Sequence, residues 1–138
     1  MIPISSETAA FLDRFDASRS DPAVPLDDIF CSTFLSLDPT SVHAVSPALL
    51  AKALPARREM FARAGVTRVT RKTASETRID DMHRLVSVEW IAEREAAPAL
   101  TLRSTFLLRT EQGHPRVVVY LNHADVTAML GGTDGSRG

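Results

Sequence analysis

At 138 residues, 44% hydrophobic and 24% charged with a net charge of −1, the chain has the make-up of a globular domain and not of a disordered segment. The single cysteine, Cys31, excludes an intramolecular disulfide framework and suits a reducing compartment. No stretch approaches transmembrane length, and Met1-Ile2-Pro3-Ile4-Ser5-Ser6 lacks the basic and apolar parts of a signal peptide, so one cytoplasmic domain with no membrane partner is expected.

A hydroxyl at Ser5 or Ser6 can accept from the first amides of a helix, whose buried stripe is Phe11, Leu12 and Phe15. The polar run from Asp16 to Pro25, with Pro22 and Pro25, reads as a loop. A short second helix is predicted from Leu26 towards Thr33, with Ile29 and Phe30 facing inwards. Phe34-Leu35-Ser36-Leu37 and Val42-His43-Ala44-Val45 are short strands about the turn Asp38-Pro39-Thr40. Ser46-Pro47 starts a further helix and Ala64-Gly65 stops it. Pro55 lies between them, so two helical pieces or one kinked helix are expected.

Four β-rich runs follow: Val66 to Ile79, Met82 to Arg94, Leu100 to Arg109 and Arg116 to Asn122. A short helix from Ala124 to Leu130 closes the domain, and residues 132–138 form a flexible polar tail. Helices first and a continuous meander after them require a sheet that curls over the helices to bury its apolar face. With Ala97-Pro98-Ala99 as a hairpin loop, Trp90 faces Phe106, Val88 faces Leu108 and Glu93 faces Arg103, with Glu89 diagonal to Arg109.

Charge is unevenly spread. Residues 1–51 hold seven acids against Arg14 and Arg19. Residues 52–72 hold Lys52, Arg57, Arg58, Arg63, Arg68, Arg71 and Lys72 against Glu59 alone. Such a block can read phosphates, but it spans a helix, a turn and a strand with Phe61 as its only aromatic, so a solvated face outweighs nucleic acid.

No catalytic motif is present: there is no Gly-x-Ser-x-Gly, phosphate loop, His-Glu-x-x-His or cysteine pair. His43, His83, His114 and His123 are scattered, and neither a metal nor a cofactor is expected. The alternation Val117, Val119, Leu121 places His123 on the same face at the strand end, as general base or donor to a ligand, with Asp125 orienting it. The bland alternative is a structural histidine and an Asp125 that caps the last helix. Tyr120 can donate to an oxyanion, or pack on the opposite face in an interface. Trp90 is a core anchor or a ligand platform, and Cys31 a buried small hydrophobe.

The stretches Leu85-Val86-Ser87-Val88-Glu89-Trp90, Ser104-Thr105-Phe106-Leu107-Leu108-Arg109 and Val118-Val119-Tyr120-Leu121-Asn122-His123-Ala124-Asp125, in this order of elements, resemble bacterial members of the NTF2-like superfamily (nuclear transport factor 2, ketosteroid isomerase, SnoaL-type cyclases). The likeness covers nearly all of residues 5–130. It implies an α+β, cone-shaped, cystatin-like domain over residues 1–131. Its N-terminal helices pack in the concave face of a curved antiparallel sheet, above a pocket, and the outer sheet face often makes a dimer. Where ketosteroid isomerases use a first-helix tyrosine, this chain offers Phe11 and Phe15.

Two functions are therefore expected. The first is a pocket lined by Phe11, Phe15, Trp90, Phe106, Val119 and Tyr120, with His123 at its rim, taking a small apolar molecule or running isomerase-, cyclase- or dehydratase-like proton transfer. The second is a non-catalytic interaction domain whose cavity is filled by side chains. An open cavity favours the first. A homodimer is expected through the face bearing Arg103, Thr105, Leu107 and Arg109 beside Glu89, Ile91 and Glu93.

Overall fold

Ser5 closes the start of helix α1 (Ser6–Ser18), its Oγ accepting the Thr8 amide at 3.2 Å. Thr8, Phe11, Leu12, Phe15 and Ser18 recur at helical spacing, and all are buried. The helix runs past Asp16, so the loop begins later than its polarity suggests. The structure, a computed structural model, describes residues 2–131; the tail expected at 132–138 lies outside them.

Among the described residues seven strands form one curved sheet in the order β1-β4-β5-β6-β7-β2-β3. They are β1 (Ile2–Pro3), β2 (Phe30–Asp38), β3 (Ser41–Val45), β4 (Val66–Arg78), β5 (His83–Arg94), β6 (Leu100–Glu111) and β7 (His114–Asn122). The expected antiparallel sheet needs one correction: β2 and β7 pair in parallel. Such a pair needs a long crossover, here everything from residue 39 to residue 113. The predicted second helix shrinks for the same reason. Only a 3-10 turn, Leu26–Asp28, forms before Phe30 enters β2. The Val117 amide donates to the Ile29 carbonyl at 2.8 Å, and the aromatic, β-branched run Phe30-Cys31-Ser32-Thr33-Phe34 suits a strand better than a helix.

Ser46 caps α2 (Pro47–Arg63), accepting from the Leu49 amide at 3.1 Å. It is one continuous helix with Pro55 inside. Gly65 at φ +81 ends it, a conformation that a side chain would strain. No residue of α2 beyond Pro47 is fully buried. Leu50 and Phe61 reach the edge of the core while Leu54 lines a gap beside the sheet, and that gap becomes the site. The last helix is α3 (Val126–Gly131). Among the described residues no helix is long and apolar enough to cross a membrane.

The core lies between α1 and the concave face, where Phe11, Phe15, Trp90, Phe106 and Tyr120 touch one another stacked, tilted or edge-on at ring separations of 5.0 to 6.4 Å. The β5–β6 register differs from expectation: Trp90 faces Leu102, Val86 faces Phe106 and Glu89 faces Arg103. The shift is an even number of residues, so every side chain keeps its expected face. On its other edge the same end of β5 pairs with β4, Arg68 with Glu93 and Val66 with Arg94. Arg94 Nε also donates to the Pro98 carbonyl at 2.8 Å, holding a wider loop than three residues.

Strand β7 carries a bulge. Leu108 faces Val117 but Leu107 faces Val119, so Val118 is an extra residue that switches the alternation. Val117 points inwards, as do Tyr120 and Asn122 opposite Phe106 and Ser104. Val119 and Leu121 share the outer face with Leu107 and Thr105.

Candidate functional site

A half-open cavity of about 540 Å³ lies between the end of α1, the standing-off face of α2 and the concave sheet. Leu50, Leu54 and Phe61 of α2 wall one side; Phe15, Phe30, Trp90, Leu102 and Tyr120 wall the other. The walls are largely apolar, and the volume falls within the range that small-molecule sites span.

The polar groups are few and held in place. Asp16, on the last turn of α1, accepts from Trp90 Nε1 at 2.9 Å through one oxygen and from Arg71 at 2.9 Å through the other. Arg71 also binds Asp13 at 2.9 Å, tying the helix end to β4. Arg19 stands 3.7 Å from Asp16, its guanidinium lying over Trp90 at 5.1 Å and Phe15 at 5.6 Å. Burial pulls the Arg19 pKa down from the ordinary arginine value; Tyr120 and Asp16 oppose that shift and Arg57 adds to it. Arginine stays protonated regardless, so the site holds a half-buried cation. Ser104, buried on β6, donates to Asn122 Oδ1 at 2.7 Å, which fixes the amide in the wall.

Of the expected site residues, Phe15, Trp90 and Tyr120 line this cavity. Phe11 and Phe106 do not; both are fully buried beneath it, and Phe106 backs Phe15 at 5.0 Å. Val119 is corrected to the outer face by the bulge. The expected rim position of His123 is corrected likewise: its Nε2 lies 2.7 Å from Thr105 Oγ1 on the outer face, and the ring is exposed. Asp125 accepts the Ala128 amide at 3.1 Å, capping α3, and has no bond to His123. Tyr120 occupies the inner face, not an interface. Cys31 is half-buried in β2, where burial, then Glu111, raises its thiol pKa.

Asp16, Arg19, Ser104 and Asn122 went unmarked as site residues in the sequence, and Arg57 was marked only as part of the basic block. The basic block was the available signal: Arg57, Arg58 and Arg68 stand in the cavity wall, and Arg71 anchors Asp16. Among the described residues no cluster of His, Cys, Asp and Glu could hold a metal ion.

No protein-family model matches the sequence, and no curated protein does. Solved structures do match. A protein of unknown function with a cystatin-like fold from Nostoc punctiforme superposes with a TM-score of 0.69 at 17% identity, over 91% of this chain and 96% of that one. An NTF2-like protein with a cystatin-like fold from Novosphingobium aromaticivorans gives 0.66 at 12%, over 86% and 79%. An NTF2-like protein of unknown function from Shewanella oneidensis gives 0.63 at 9%, over 85% and 96%. The chain therefore has the NTF2-like, cystatin-like fold, an α+β cone around a sheet-and-helix pocket.

Proposed function

We propose that the protein binds a small, largely apolar molecule between α1, α2 and the sheet. The observation that carries this reading is the stand-off of α2. Leu54, with the half-buried Leu50 and Phe61 that pack against the edge of the core, borders an open space of about 540 Å³. Apolar surface left facing water is costly at roughly 25 cal/mol per Å², and a ligand that fills the gap recovers it. Phe15, Trp90 and Tyr120 are the contact residues, with Phe11 and Phe106 as rigid backing. The filled-cavity reading, a purely accessory domain, is disfavoured by that open volume. Proton transfer of the isomerase, cyclase or dehydratase kind is the weaker alternative: Asp16, the one carboxylate in the described wall, already accepts from Trp90 and Arg71, and His123 and Asp125 lie outside that wall.

The protein acts as a homodimer through its outer sheet face. Paired residues there form two rows, Leu107-Val119-Leu35-Ala44 and Thr105-Leu121-Leu37-Val42, flanked by the Arg103–Glu89 ion pair at 2.9 Å. Apolar rows beside matched charges are self-complementary about a two-fold axis. A cytoplasmic setting accords with the lone Cys31.

Thermal melts against a panel of small apolar molecules test the binding reading. A ligand at one hundred times its Kd stabilises by about 2.7 kcal/mol, which is a rise in Tm of several degrees. Leu54→Trp, which fills the cavity, is expected to abolish that rise. No stabilisation by any member, or the same rise in the Leu54→Trp variant, contradicts it.

A further inference from the structure

We infer that the cavity selects an apolar molecule ending in a carboxylate, its head seated against Arg19 and its chain or ring against the aromatic wall. This inference rests on the pocket reading and narrows its ligand class. The wall carries Arg19, Arg57, Arg58 and Arg68 against Asp16 alone. Asp16 is already engaged: Trp90 and Arg71 occupy its two oxygens, and Arg19 lies beyond hydrogen-bond distance at 3.7 Å. Arg68 is paired with Glu93 at 3.1 Å, and Arg58 Nε donates to the Arg19 carbonyl at 2.9 Å.

Arg19 and Arg57 remain. Among the described residues the Arg19 guanidinium makes no hydrogen bond, although it presents five donors in a planar fork that matches a carboxylate. Arg57 stacks on Phe61 at 5.6 Å and likewise has no carboxylate partner there. Two neutral donors lie in the same wall: the Tyr120 hydroxyl, and the Asn122 amide whose oxygen is taken by Ser104. Donors outnumber acceptors at this end, so the missing partner is an acceptor with negative charge. The apolar part of the wall, Phe15, Phe30, Leu50, Leu54 and Phe61, offers no partner to a second charged group. The complement is therefore one anionic head on an apolar body.

Trp90 is the chain's only tryptophan, lies in the wall and sits under Arg19, so its emission reports occupancy directly. Titrations with octanoate, 1-octanol and octylammonium, followed by Trp90 emission and by thermal melts, separate the possibilities. An uncharged greasy cavity prefers the alcohol, because stripping water from a carboxylate is costly. The inference predicts the reverse order: octanoate about tenfold tighter than 1-octanol, with octylammonium weakest. Arg19→Gln is expected to remove the preference while 1-octanol still binds. Arg57→Gln, on the face of α2, reduces it by a smaller factor and guards against a folding defect at the α1 end. A 1-octanol affinity equal to or better than octanoate overturns the carboxylate inference and leaves the pocket standing. A preference that survives both arginine substitutions overturns it too. No response to any of the three overturns the pocket reading with it.

Discussion

Phe106 shows how much one side chain carries. It is fully buried, and its ring lies edge-on to Phe11, Phe15 and Trp90 at 5.0 to 6.3 Å. Phe106→Ala is expected to cost about 3–5 kcal/mol in denaturant melts; a cost below about 1 kcal/mol would mean that the face is wrongly assigned. His123 is the opposite case. Because its ring bonds Thr105 on the outer face, His123→Gln is expected to leave ligand-induced stabilisation unchanged, and a lost response would return His123 to the site. Asp80 gives a pH signature. The Met82 amide and then His83 hold its carboxylate below the ordinary aspartate range. A depressed folded pKa means that the turn's contribution is complete above the ordinary value and is lost as pH falls through Asp80's own lower one. An NMR titration should place the Asp80 midpoint below that of an exposed aspartate; an ordinary midpoint contradicts the turn geometry. At this scale Phe15 and Trp90 were legible as wall residues, whereas Phe11, Phe106 and Val119 lie outside the wall and its charged groups were missed. The Asp16–Arg71 and Asp16–Trp90 bonds span 55 and 74 residues, and nothing local in the sequence announces them. Tyr120 was legible as a donor but not as an inward one, because the extra residue Val118 leaves no mark in the alternation.

The elements themselves were largely legible, for a physical reason. Strands β4 to β7 are hairpin neighbours, so alternation and turn residues specify them locally. The β5–β6 register differs by four because the connection is wider than the three-residue loop assumed, with pairing ending at Ala92 and Leu100 and Arg94 bonded to the Pro98 carbonyl. Strand β2 was half hidden, since its partner β7 lies more than 80 residues away. The first helix is tied to the sheet by a second network at its other end. Arg84 reaches Glu7 at 2.6 Å, Thr8 at 3.0 Å and Thr110 at 3.2 Å, with Glu76 at 3.8 Å. Glu76 in turn accepts the Ser5 amide at 2.7 Å. Arg84 and Glu76 are nearly buried, so Arg84→Met strands a carboxylate beneath the helix start. The expected loss is about 3 kcal/mol by chemical denaturation. A neutral or stabilising result would mean that the network holds position without contributing stability.

At the scale of the whole molecule, two surfaces are built from one sheet. The concave face buries the aromatic core and leaves a cavity where α2 stands away; the convex face carries the apolar rows proposed to join two copies. Sedimentation is expected to give a dimer, about twice the 15.1 kDa chain, at micromolar concentration. A monomer under those conditions sinks the assembly proposal without touching the cavity. The fold was readable because one hydrophobic pattern dictates it; the function was not, because it depends on where a helix fails to pack. The most direct measurement is a crystal structure of the protein with the panel molecule that stabilises it most. Density is expected between Leu54 of α2 and Phe15, Trp90 and Tyr120, in contact with Arg19. A ligand bound elsewhere, or a cavity closed by α2 settling onto the sheet, would contradict the account.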